Sequence, residues 1–127
     1  MKISLITVSY NSESTIKETF NSVKNQLIEG YELEYIHIDG LSNDSTMDIS
    51  DDYSDLISIS VSEEDSGIYN AMNKGIDLAT GDVIGFLNSD DTFTYSKFLR
   101  DIARLFEEKQ TDIVYSDINY INYIDEV

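Results

Sequence analysis

Apolar residues fall along the chain in short runs that alternate between two periods. Residues 3–8, Ile-Ser-Leu-Ile-Thr-Val, form a largely β-branched run of strand length. Ile16, Phe20, Val23 and Leu27 then recur at helical spacing, with Ser12 or Ser14 placed as a cap and Gly30 as the stop. Residues 33–39 predict a second strand that ends at Gly40. Asp44-Ser45-Thr46 opens a weaker helical stretch toward Tyr53, and residues 56–61 alternate apolar side chains with serine, the pattern of a strand with one exposed face. Asp65 or Ser66 stands ahead of a helix in which Ile68, Met72, Ile76 and Ala79 share one side, and Gly81 follows as its stop. Residues 82–87 predict a fourth strand. Residues 95–109 predict a helix with Phe98, Ile102, Leu105 and Phe106 on one face, and residues 112–115 a fifth strand. Strands alternating with helices imply parallel pairing through right-handed crossovers, so the expected class is α/β.

Composition narrows the possibilities. At 127 residues, 41% of them hydrophobic and 26% charged, the chain is large enough for one domain with a genuine core. No apolar run approaches the roughly 20 residues of a membrane span, and the N-terminus reads as a first strand, not a signal peptide. There is no cysteine, hence no disulfide framework and no thiolate chemistry; the expected location is cytoplasmic. A net charge of −17 argues against nucleic acid and against anionic lipid as partners. Most of the carboxylates are expected on solvated faces, so an individual acid must be singled out by position. Residues 119–127 read as the start of further structure, and the chain as cut.

One position stands out. Asn88-Ser89-Asp90-Asp91 lies directly behind the apolar run 82–87, at the strand end where open α/β sheets bind ligands. Two carboxylates and an amide are the oxygen donors that Mg²⁺ or Mn²⁺ takes, commonly together with substrate phosphates. The chemistry suggested is a metal–diphosphate site. A dinucleotide fold needs a glycine-rich turn after the first strand; Ser9-Tyr10-Asn11-Ser12 contains no glycine, and a P-loop is likewise absent. Asn88 to Thr92 superficially resembles an aspartyl-phosphate signature, but an amide at the first position cannot make that attack.

Four segments together resemble the N-terminal half of a family 2 glycosyltransferase. They are Ile6-Thr-Val-Ser-Tyr-Asn11, Ile38-Asp-Gly-Leu-Ser-Asn-Asp-Ser-Thr46, Asp65-Ser-Gly-Ile-Tyr-Asn-Ala-Met-Asn-Lys-Gly-Ile76 with Ala79-Thr-Gly81, and Gly85-Phe-Leu-Asn-Ser-Asp-Asp91. Their order and spacing carry the resemblance from residue 3 to near residue 117, and the third segment most resembles bacterial enzymes that build capsule, exopolysaccharide or O-antigen chains. The resemblance implies a GT-A nucleotide-diphospho-sugar transferase fold, a Rossmann-like α/β/α sandwich with a mostly parallel central sheet. It implies that residues 1–127 are a single nucleotide-sugar-binding domain, the N-terminal part of a longer enzyme whose base lies beyond Val127. It further implies a UDP-linked donor, a glycan or lipid-linked acceptor, inversion at the anomeric carbon, and Mn²⁺ or Mg²⁺ at the leaving diphosphate. In the full-length protein, peripheral contact with the inner membrane face is expected, and a homodimer through the surface the second half would cover.

Site roles carry over position by position. Asp90 matches the metal-contacting acid of the family's Asp-x-Asp motif; Asp91 ligates through water or holds the turn at Thr92. Asn88 stands where the family usually has the first acid and is expected to accept from a ribose hydroxyl. Asp39 is expected at a uracil N–H or ribose hydroxyl, or as the start of a turn with Gly40. Thr7, Ser9, Tyr10 and Asn11 line the nucleoside position, with Tyr10 either the aromatic contact or a core residue. Lys74 faces the donor diphosphate or solvent, Asn73 buttresses the loop, and Gly67 opens the helix toward phosphate or sugar. Asp65 contacts the donor or caps the helix. Asp117 resembles an acid lining the acceptor side. His37 is expected to be exposed or satisfied, without a role, and Tyr115, Tyr120 and Tyr123 to pack beneath the second half. The competing reading is a non-catalytic α/β interaction module with an acidic face.

Overall fold

A computed structural model describes residues 1–109; the strand expected at 112–115, Asp117, Tyr115, Tyr120 and Tyr123 lie outside the described residues. The elements are β1 (Lys2–Ser9), α1 (Ile16–Lys24), β2 (Glu32–Asp39), α2 (Thr46–Asp51), β3 (Ile59–Ser62), α3 (Ile68–Leu78), β4 (Val83–Phe86) and α4 (Phe98–Lys109). The four strands form one parallel sheet in the order β3-β2-β1-β4. Every strand therefore ends at the same edge, with Ser9, Asp39 and Ser62 level in the register.

Each face of the sheet is covered by helix, as parallel strands require. Odd-numbered residues of β1 and β2 enter a core with α1 and α4, in which Ile3, Leu5 and Tyr35 meet Ile16, Phe20, Val23, Leu99 and Ala103. Phe20 is its hub, with ring contacts to Tyr35, His37 and Tyr53 at centroid distances of 6.0, 5.3 and 5.1 Å. Even-numbered residues Ile6, Ile36 and Ile38 meet α3 through Ala71.

The inward face of α3 differs from the expected one. Ala71 and Gly75 are buried, whereas Ile68 and Ile76 are about half exposed. A β-carbon on Gly75 would lie 2.7 Å from Ile6 Cγ2, so the helix approaches the sheet too closely for anything larger. Close approach selects small residues, and hydropathy alone cannot rank them above isoleucine. Likewise α4 turns Leu99 and Ala103 inward and leaves Leu105 exposed.

Several boundaries move. Helix α1 stops at Lys24, because Gln26 holds the segment before α4 instead, donating to the Tyr95 carbonyl and accepting from the Leu99 N–H. Neither Ser12 nor Ser14 caps α1, and neither Asp65 nor Ser66 caps α3; Thr15 and Gly67 occupy those positions without a side-chain cap bond. Strand β3 starts at Ile59, and Leu56 and Ile57 pack on the core ahead of it. At the far edge of the sheet, buried Glu34 accepts from the Thr80 N–H and hydroxyl and from Ser4. Burial alone would raise its pKa; those bonds, with Lys2 alongside, outweigh burial and bring it to about 2. Strand β4 is an edge among the described residues, with Ile84 and Phe86 41% and 42% exposed.

Candidate functional site

The loops that follow the strands meet at the C-terminal edge. After β4, the Leu87 N–H still pairs with Ile6, and the Asp91 N–H then bonds the Asn88 carbonyl at 3.1 Å, closing a turn over 88–91. Three hydroxyls at the start of α1 fasten that turn. Ser12 Oγ meets Ser89 Oγ at 2.9 Å, Thr15 Oγ1 donates to the Ser89 carbonyl at 2.9 Å, and Thr19 Oγ1 donates to the Asp91 carbonyl at 2.7 Å. The backbone of the turn is thus held while Asn88, Asp90 and Asp91 remain exposed. A cleft of about 470 Å³ opens beside it, lined by Asn11, Ser12, Thr15, Ile68, Asn88 and Asp90 among others. A second hollow of about 400 Å³ lies between α1 and residues 92–96, lined by Asn21, Asn25, Phe93 and Tyr95 among others.

Asp91 is raised above the usual carboxylate range, first by burial and then by the neighbouring Asp90 charge, against an opposing hydrogen bond from Asn88. A divalent cation beside the pair would relieve that repulsion, and both residues supply the hard oxygen donors it takes. No group of three or more His, Cys, Asp or Glu side chains that could hold a metal occurs among the described residues. The donor set therefore fits a cation shared with ligand phosphates better than one held by protein alone.

After β1 and β2 the loops are laced together. The Gly40 N–H continues the ladder to the Ser9 carbonyl at 2.9 Å. The Asn11 N–H donates to Ser42 Oγ at 2.8 Å, and Asn11 Oδ1 accepts from the Asn43 N–H at 2.9 Å. Beneath them lies a buried polar network. Asp39 accepts from Ser9 Oγ, Ser42 N, Ser42 Oγ and Ser62 Oγ at 2.6–2.8 Å. These bonds outweigh its burial, which would raise it, and hold its carboxyl below the usual range.

Fully buried His37 joins the same network, with Nε2 2.7 Å from Ser9 Oγ and Nδ1 2.9 Å from Ser50 Oγ. The single Ser9 hydroxyl proton goes to Asp39, so His37 Nε2 is the donor and Nδ1 accepts from Ser50. Burial depresses His37 to about 4 despite the nearby Asp39 charge, leaving a neutral ring.

The expected site residues accordingly separate into two groups. Tyr10, Asn11, Asn88, Asp90 and Asp91 stand at the exposed edge. Thr7, Ser9 and Asp39 do not present their side chains there. Thr7 is buried with its hydroxyl 2.7 Å from Tyr35 Oη, and Ser9 and Asp39 are partners in the interior network. Lys74 is engaged as well, paired with Glu63 at 3.1 Å and bonded to the Glu64 carbonyl, so it ties the segment between β3 and α3. Asp65 accepts from the Gly67 N–H at 3.0 Å, and a β-carbon on Gly40 would come within 2.7 Å of its Oδ2. Gly40 thus admits the Asp65 carboxylate against the end of β2. The fastening hydroxyls, Ser42 and Ser62 escaped the sequence reading; their one signal was that serines and threonines recur at the strand ends and at the start of α1.

Residues 4–126 match the family model described as Glycosyl transferase family 2. A PGL/p-HBAD biosynthesis glycosyltransferase of Mycobacterium bovis is 32% identical over 119 residues, covering 91% of this chain and 46% of the relative. Among solved structures, S. aureus TarS 1–349 in complex with UDP-GlcNAc superposes with a TM-score of 0.81 at 30% identity, over 88% of this chain and 33% of that one. The mannosyltransferase PcManGT from Pyrobaculum calidifontis, solved with GDP-Man and Mn²⁺, shares the fold at a TM-score of 0.74 and 21% identity, over 82% of this chain and 32% of that one. The chain spans about half the length of the mycobacterial relative and a third of the TarS structure.

Proposed function

The chain belongs to glycosyl transferase family 2 and has the GT-A fold, and on that premise we propose that it binds a nucleotide-diphospho-sugar, UDP-linked, for transfer to a glycan or lipid-linked acceptor. The observation that carries this reading is the fastened 88–91 turn, which holds Asp90 and Asp91 beside a cleft reaching to Asn11.

In this reading Tyr10 meets the nucleobase, Asn88 accepts from a ribose hydroxyl, and Asp90 with Asp91 would hold Mn²⁺ or Mg²⁺ against the diphosphate. When bound, the cation neutralises charge developing on the leaving diphosphate. The acceptor oxygen forms its bond to the anomeric carbon as the bond to the diphosphate oxygen breaks on the opposite side, inverting that centre. The acceptor proton passes to a base, and none of the described residues is assigned that role. Rigid carbonyl anchors at Ser89 and Asp91 keep the carboxylates from shifting as charge builds. Asp39 serves indirectly, by ordering the Ser42 loop that grips Asn11.

The biological setting proposed is bacterial surface-glycan synthesis; in support, one relative is named for PGL/p-HBAD biosynthesis and TarS is named a poly(ribitol-phosphate) beta-N-acetylglucosaminyltransferase. The reading places the chain as the donor-binding part of a longer enzyme in the cytoplasm, in contact with the inner membrane face. None of the described helices is long and apolar enough to cross a membrane.

Calorimetric titration of UDP with and without Mn²⁺ tests the assignment. Binding that requires the metal and is lost in Asp90→Ala is the expected result. UDP binding indifferent to both the metal and the substitution would refute it.

A further inference from the structure

The hollow between α1 and residues 92–96 holds none of the residues assigned to the donor, yet its walls are tied together. Ser22 Oγ accepts from the Phe93 N–H at 3.2 Å. Buried Gln26 donates to the Tyr95 carbonyl at 2.7 Å and accepts from the Leu99 N–H at 3.0 Å. The aromatic side is fixed as well. Phe93 stacks on Phe98 at a centroid distance of 5.0 Å, and the Tyr95 ring meets Phe98 edge-on at 5.8 Å while its hydroxyl donates to Asp101 at 3.0 Å. Tyr95 is nevertheless 47% exposed, a large ring held in place and left uncovered.

The opposite side is amide. Asn21 and Asn25 stand one turn apart at the end of α1. Tyr53 Oη donates to Asn21 Oδ1 at 2.6 Å, which fixes that amide and leaves its NH₂ unspent. Neither this NH₂ nor the Asn25 side chain bonds any described residue, and both residues line the hollow. Its volume of about 400 Å³ falls within the roughly 300–1,000 Å³ of small-ligand clefts. Unpaired amides beside such a space suit a ligand that both accepts and donates hydrogen bonds. Charge narrows the choice. Among the described residues no lysine or arginine lines the hollow and Glu18 does, so phosphates and other anions are disfavoured. What fits is a neutral ligand with hydroxyls around its rim and C–H groups on its faces. A pyranose ring has that form: its rim meets amides and its face meets an aromatic ring.

We propose that this hollow is a binding site for a neutral oligosaccharide, apart from the donor cleft. The two lie close in sequence on both sides. Ser12 and Thr15, leading into α1, border the cleft, and Asn21 and Asn25 border the hollow; Asp90 lines the cleft and Thr92 already lines the hollow. The ligand is then a stretch of the acceptor glycan away from the reacting hydroxyl, a role that rests on the glycosyl-transfer reading above. Because the walls are already fixed, little ordering is required when the sugar binds.

Titration of the ¹⁵N-labelled chain with cellotriose, maltotriose and triacetylchitotriose, followed in ¹H–¹⁵N spectra, tests the site. The expected result is that at least one of them shifts the side-chain NH₂ signals of Asn21 and Asn25 together with the backbone signals of residues 92–96. Asn21→Asp keeps the acceptor for Tyr53 and removes the donor, and Asn25→Ala removes a side chain that has no protein partner. Each is expected to weaken sugar binding about fivefold, the equivalent of one hydrogen bond. Mn²⁺-dependent UDP affinity is expected to stay within about twofold of wild type in both. No shift at residues 92–96 with any of the three sugars at about 20 mM would overturn the proposal, and UDP binding in the same sample would leave the donor-site reading intact. Shifts that persist undiminished in both variants would overturn it too, by placing the sugar elsewhere. Sugar binding at the hollow in a chain that fails to bind UDP would support the site and remove only the donor-site reading.

Discussion

Replacing Thr19 by valine removes one oxygen and almost no volume, and it cuts the acidic turn from α1 at a single point. Thr19 is fully buried, and its hydroxyl donates at 2.7 Å to the Asp91 carbonyl. Losing such a bond costs about 1 kcal/mol, and a carbonyl left without a partner takes the figure toward about 3 kcal/mol. Asp91 is at the surface, where water replaces part of what is lost, so about 1 to 2 kcal/mol is expected. In a chain of 127 residues that lowers Tm by roughly 4–8 °C. The functional consequence is separate. With one of its three fastenings gone the turn samples more positions, and Mn²⁺-dependent UDP affinity is expected to fall about three- to tenfold. Thr19→Ser keeps the hydroxyl and loses a methyl worth about 1 kcal/mol, so it lowers Tm while retaining affinity. Scanning calorimetry and titration on the same samples provide both readings. A valine variant that melts early yet binds like wild type would refute the positioning argument, as would a serine variant that loses as much affinity as valine.

Gly75→Ala is expected to destabilise by about 1 kcal/mol, as overpacking against Ile6 Cγ2 at 2.7 Å exceeds the helix-propensity gain. Ile6→Leu removes the offending methyl, so in that background the penalty should shrink or change sign in a denaturant double-mutant cycle. Glu34→Gln is expected to cost about 1 to 2 kcal/mol at neutral pH by weakening charge-assisted bonds. The folded pKa of Glu34 lies below its ordinary value, so this stability is present above about 4.5 and is lost as pH falls toward about 2. Melting curves of wild type and variant should therefore converge across that window; a constant gap down to pH 2 would contradict the assignment.

Much of the architecture is legible in the residues. Strands β1 and β2 are marked by β-branched and other apolar residues at strand length, with polar side chains such as Ser4, Thr7 and Glu34 between them that are buried and hydrogen-bonded, and the helical spacing of Ile16, Phe20 and Val23 marks the buried face of α1. The packing of α3 was hidden because Gly75 is chosen for distance, and hydropathy scores only transfer from water. In the site, the exposed acids were readable from their position behind a strand. The interior role of Asp39 was not, since it depends on Ser9, Ser42 and Ser62, which lie far apart in sequence and converge only once three strands pair in register. Nothing in composition reveals that Leu41 carries a positive φ; that follows from two anchored neighbours.

The strand order also sets a timetable. Ile3 of β1 pairs with Leu33 on one side and with Val83 on the other, so its second neighbour leaves the ribosome some 50 residues after the first. At roughly 5 to 20 residues per second this is an interval of a few seconds. During it β1, β2 and β3 can already associate while the other flank of β1 stands open, a template for wrong pairing. The 88–91 turn follows β4, so among the described residues the acidic loop is the last of the strand-end loops to be emplaced. A nascent chain can thus acquire its base-side loops and most of a core before its carboxylates arrive. Pauses or chaperone contacts that protect the open flank of β1 in that window would raise the yield of competent protein without changing its final stability.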